Sequence, residues 1–150
     1  MKKTIFLILS IGLLSSSYSL ANYEEIGKYP KVFESGDYII TMLRLGKEED
    51  KIVLIKVDGL DNQFDGQIFK HHTKCDNTKC TVYKLETNEI PGKKRWWTIH
   101  STESWGNYEN LIFYPPGINK KSQLYKSQRP KQFDANKFYK EYLGQKALRK

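Results

Sequence analysis

Only three histidines, His71, His72 and His100, and two cysteines, Cys75 and Cys80, occur in the 150 residues, so neutral-pH bases, reactive thiols and soft metal ligands are in short supply. The sequence contains no G-x-S-x-G elbow, phosphate-cradling glycine loop, H-E-x-x-H pair or dinucleotide-binding fingerprint. His100 and Ser101 are adjacent in a strand-like segment, and adjacent strand residues point to opposite faces, so they cannot form a catalytic dyad directly. Alanine is scarce, whereas ten Tyr, seven Phe and three Trp are present. That bias favours pleated, half-buried surfaces over helices.

Long apolar runs are missing too. The longest, Ile5 to Leu14, is interrupted by Ser10 and Gly12 and is about half the roughly 20 residues that a spanning helix requires. Lys2 and Lys3 precede it and the small-x-small triplet Ser19-Leu20-Ala21 follows, the three parts of a cleavable secretory signal peptide. The expectation is a signal peptide over 1–21 and a single domain over 22–150, periplasmic or secreted, with no integral membrane span. An uncleaved anchor is the alternative, and the Ser15-Ser16-Ser17 run before the cleavage site fits processing better. A chain of this length buries about two-thirds of its unfolded surface in one core.

In an oxidising compartment two cysteines predict a disulfide. Cys75 and Cys80 would close the turn-like segment Asp76-Asn77-Thr78-Lys79, a ring too short to add more than about 2 kcal/mol. With reduced thiols, His71, Cys75 and Cys80 would make three-quarters of a zinc site, with His72 beside them; oxidation removes that option, and the two histidines remain weak metal candidates. The segment DGLDNQFDG, with Asp58, Asp61 and Asp65, has spaced oxygen ligands but neither the spacing nor the distal Glu of a calcium loop. No cofactor is expected.

Strand-length apolar segments span 37–46, 51–59, 67–75, 80–86, 95–102 and 108–114, separated by turn-forming residues such as Lys47-Glu48-Glu49-Asp50 and Pro91-Gly92. The fold class is mainly β (α+β): an antiparallel sheet or partly closed barrel of about six strands with one C-terminal helix packed on it. That helix is expected over 134–148, capped by Asp134, with Ala135, Phe138, Tyr139, Tyr142 and Leu143 on one face and Phe133 placed for a hydrophobic staple. Gly144 should weaken or end it. Residues 119–132 read as a linker or extended basic arm.

Basicity is confined to the C-terminal quarter. Residues 118–150 carry ten basic residues against two acidic ones, and residues 22–117 carry thirteen against fifteen. The arm residues Lys120, Lys121, Lys126, Arg129 and Lys131 could meet an anionic polymer or lipid headgroup, or serve as a solvated, solubilising face. A second candidate surface combines Lys93, Lys94, Arg95, Trp96, Trp105 and Tyr108. Trp96 and Trp97 must face opposite sides of the sheet, and the aromatic face of the helix is expected to cover the outer one.

With so few catalytic candidates, the expected function is non-catalytic: an exported periplasmic binding protein, of inhibitor or immunity type, that blocks an envelope-active toxin or hydrolase and has another envelope protein as its partner. The alternatives are an envelope polysaccharide- or anionic-polymer-binding module and a small secreted hydrolase using one of the three histidines.

Overall fold

A computed structural model describes residues 25–102, 110–127 and 132–149. The signal-peptide reading over 1–21 therefore lies outside the described residues, as do Trp105, Tyr108, Arg129 and Lys131. Eight strands, β1 (Lys31–Ser35), β2 (Tyr38–Leu45), β3 (Ile52–Asp58), β4 (Ile68–Cys75), β5 (Tyr83–Thr87), β6 (Trp96–Thr102), β7 (Asn110–Phe113) and β8 (Ser122–Lys126), precede one helix, α1 (Ala135–Leu148). Each strand pairs antiparallel with the next, and β8 returns to β1, closing an up-and-down barrel.

The count of about six strands is thus corrected to eight, and the two added strands form the seam. Part of the basic arm is β8: Leu124 is buried opposite Leu111, while Lys120, Lys121 and Lys126 stay exposed. At the seam Phe33 lies opposite Lys126 and Glu34 opposite Tyr125. Closure satisfies the backbone groups that an open sheet would leave at its edges.

Strand alternation builds two apolar layers. On one side, Ile40, Met42, Ile55, Val57, Leu85, Ile99, Leu111, Phe113 and Leu124 join Phe33 to fill the barrel interior. On the other, Leu43, Leu45, Leu54 and Ile68 turn outward and are covered by Phe138, Tyr139 and Tyr142 of α1. The helix therefore covers β2–β4 rather than the tryptophans: the aliphatic stripe of Leu43, Leu45, Leu54 and Ile68 receives its aromatic face, and Lys56 beside that stripe pairs with Glu141 of the helix.

Local chemistry sets the helix start. The Asp134 carboxylate accepts the Lys137 backbone N–H at 2.9 Å, and Phe133 packs at a tilt against Phe138, 5.3 Å between ring centroids. Gly144 does not end α1, since tertiary bonds hold the last turn. Gln145 accepts from the Ile68 backbone N–H and donates to the Gly66 carbonyl, and Arg149 donates to the Ile68 carbonyl. Glu89, from the β5–β6 loop, accepts from the Lys70 backbone N–H and the Tyr142 hydroxyl, with Lys146 and Arg149 each 3.7 Å away. Among the described residues no helix is long and apolar enough to cross a membrane.

Candidate functional site

The outer surface of β5 and β6, the far end of β4 from His72 onward, which α1 does not reach, and the adjoining β5–β6 loop bring together part of the expected partner-binding set. Pro91 and Gly92 form the centre of a turn closed by the Lys93 N–H on the Ile90 carbonyl at 3.1 Å; Gly92 has φ +75°, where a side chain would be strained. Ile90 is buried and anchors the loop, so Lys93, Lys94 and Arg95 are carried out into solvent.

The tryptophans then take up different environments around one depression. Trp96 is half-buried and its indole N–H donates to the Tyr114 carbonyl, with Lys93 Nζ 5.7 Å from its ring centroid. Trp97 is 39% exposed, stands edge-on to Tyr114 at 6.3 Å, and carries Lys84 Nζ 4.8 Å above its ring. A β-bulge between Leu85 and Glu86 pairs Leu85 with Ile99 and Glu86 with Trp97, leaving Thr98 as the extra residue. Thr98 and Ile99 are consequently both buried while Trp97 faces out.

Two shallow depressions meet at Arg95. One, of about 180 Å³, is lined by His72, Lys74, Glu86, Thr87, Asn88, Lys94 and Arg95; the other, of about 350 Å³, by Arg95, Trp96, Trp97 and Tyr114. Among the described residues Lys74, Lys94 and Arg95 have no ion-pair partner, whereas Arg44, Lys56, Lys84, Lys146 and Arg149 all do. Trp97, His72 and Tyr114 were not among the expected partner-binding residues; strict alternation from the inward Ile99 would have turned Trp97 inward, and the bulge at Thr98 is what exposes it.

The histidines divide between two environments. His71 points into the barrel and is 1% exposed: its Nδ1 lies 2.9 Å from the Phe69 carbonyl and its Nε2 2.6 Å from Thr98 Oγ1. A carbonyl only accepts, so Nδ1 carries the proton and Nε2 accepts from the threonine. Burial lowers the His71 pKa to about 4; the hydrogen bond to Phe69 opposes the shift and the neighbouring His72 adds to it. Cys75 and Cys80 are joined in a disulfide with Cα atoms 4.7 Å apart. With the sulfurs bonded to each other and both His71 nitrogens engaged, the His71, Cys75 and Cys80 set is unavailable to a metal, and His72 lies on the opposite face of β4.

The remaining chemical candidates are occupied in a similar way. Ser101 is buried and its hydroxyl accepts the Tyr83 backbone N–H, while His100 lies 3.4 Å from Asp76 on the outer surface. In the 58–66 loop, the Asp65 carboxylate accepts the backbone N–H groups of Gly59 and Leu60, and Asp58 lies beside Lys56. That aspartate organises its own loop. The chain matches no family model, no curated protein and no solved structure.

Proposed function

We propose that the protein is an exported, non-catalytic binding protein of the cell envelope, of inhibitor or immunity type, which grips a partner protein through the β5–β6 loop and the outer face of β4–β6. One observation carries this reading: two depressions converge on Arg95, beside an exposed Trp97, on a frame held by a closed barrel. Arginine and tryptophan are the residue types that most often dominate binding energy at protein interfaces. Eight-stranded barrels either fill their interior or hold a small ligand, and side chains fill this one. The signal-like segment at the N-terminus supports an extracytoplasmic setting.

The test is affinity capture from envelope extract with the protein purified after export, run beside Arg95→Ala and Trp97→Ala. The expected result is one stoichiometric protein retained by the parent at moderate salt and lost by both variants. Equal retention by parent and variants refutes this surface. Retention of anionic polymer alone, released by salt, would instead favour the polymer-binding module, with the exposed Lys120, Lys121 and Lys126 as its contacts.

A further inference from the structure

The geometry points to an acidic peptide segment as the ligand of the Arg95 depressions, with one carboxylate seated among Lys74, Lys94 and Arg95 and a neighbouring apolar side chain set against the Trp97 and Tyr114 corner. This inference rests on the proposed binding function and names the chemistry of the partner. Its first support is charge complementarity: three cations line or adjoin one depression without an ion-pair partner among the described residues. Some cations elsewhere on the barrel, such as Lys56 with Asp58 and Glu141, are neutralised within the fold, whereas these three are grouped around one concavity. Unpaired cations grouped in a concave surface raise the local concentration of anions.

The shape of the site selects a peptide over other anions. About 180 Å³ lies below the roughly 300–1,000 Å³ of small-molecule sites and about 350 Å³ lies near their floor, so each depression suits a side chain. Glu86 stands in the wall of the first, and a uniformly charged polyanion running across it would meet like charge, whereas one carboxylate can sit to the cationic side. The Trp97 ring has Lys84 over it and Tyr114 at its side. That arrangement occupies one face of the ring with a cation, where a sugar or base would otherwise stack, and leaves an apolar corner for an aliphatic side chain. Guanidinium recognition of carboxylate at Arg95 would be bidentate, which fixes register as well as charge.

The experiment is titration of the isotope-labelled protein, purified after export, with three probes followed by amide chemical shifts. The probes are a capped hexapeptide of alternating glutamate and leucine, the same peptide with glutamine for glutamate, and a polygalacturonate oligosaccharide. The acidic peptide should shift the amides of Lys74, Glu86 to Asn88 and Lys94 to Trp97, and the double variant K94A/R95A should weaken its binding at least about fivefold. The glutamine peptide should leave those amides in place. Equal binding of the glutamine peptide, an unchanged affinity in K94A/R95A, no shift at these amides, or a response to the oligosaccharide alone would each overturn the inference. Should that happen while a captured protein still depends on Trp97, the ligand class is wrong and the binding function stands.

Discussion

Acid should destabilise this barrel through His71. The folded imidazole has its pKa lowered to about 4 by burial, against roughly 6.5 in the unfolded chain, so the unfolded state binds the proton more tightly. Stability from this residue is complete above about pH 6.5 and declines as pH falls toward 4. The linkage amounts to about 2 kcal/mol by pH 5 and about 3 kcal/mol at and below pH 4. His71→Gln isolates the effect, because glutamine can still donate toward the Phe69 carbonyl and accept from Thr98 but does not titrate. Urea denaturation followed by tryptophan fluorescence, from pH 7.5 to 4.5, should show the parent more stable than the variant at neutral pH. That advantage should shrink by about 2 kcal/mol by pH 5. A gap between the two proteins that stays constant with pH, or widens in acid, would refute the account of His71 as a buried neutral acceptor.

Three further outcomes follow from the packing. Glu89→Ala removes the carboxylate that accepts from both the Lys70 N–H and the Tyr142 hydroxyl and ties β4 to the helix, so it should cost about 2–4 kcal/mol in urea unfolding and speed amide exchange throughout α1. Gly59 has φ +97° and an added Cβ would collide with the Asp37 carbonyl oxygen, whereas Gly92 has φ +75° and open space around it; Gly92→Ala should cost about 1–2 kcal/mol and Gly59→Ala at least about 1 kcal/mol more, by the same measurement. Replacing Cys75 and Cys80 together by serine should lower stability by no more than about 2 kcal/mol and leave the far-ultraviolet circular dichroism unchanged, since the ring spans only a hairpin tip.

Alternation made the middle of the barrel legible. In β3, Val53, Ile55 and Val57 share one face and Leu54 the other, and a single polar turn leads into it from β2. The outer strands gave weaker signals: β1 contributes Phe33 as its buried apolar side chain and β8 contributes Leu124, too few for a periodic pattern. Their pairing with each other, Phe33 opposite Lys126, joins residues far apart in sequence, so local periodicity has nothing to register there. The helix start was readable because Asp134 and Phe133 act within one turn, while its continuation past Gly144 depends on Gln145, Arg149 and Glu89 meeting across the fold. At the candidate site, the chain order Lys93-Lys94-Arg95-Trp96 marked the loop, but Lys74 and His72 come from β4 and only the strand pairing brings them to Arg95. Nor could the sequence show that the helix would leave Trp97 bare.

The seam has a consequence for how the chain reaches this state. Beside the β1–β8 pairing, the Ser127 hydroxyl donates to the Glu34 carboxylate across 93 positions, so the contacts that close the circle join nearly the two ends of the barrel sequence. Contacts of such separation form late and slow folding toward milliseconds or seconds. Until residues 122–127 arrive, β1 is a free edge able to recruit a strand from another molecule. A protein translocated as an extended chain, N-terminus first, would hold that edge open for the whole of its passage. The residues that finish the barrel are therefore also the ones that end its exposure to self-association.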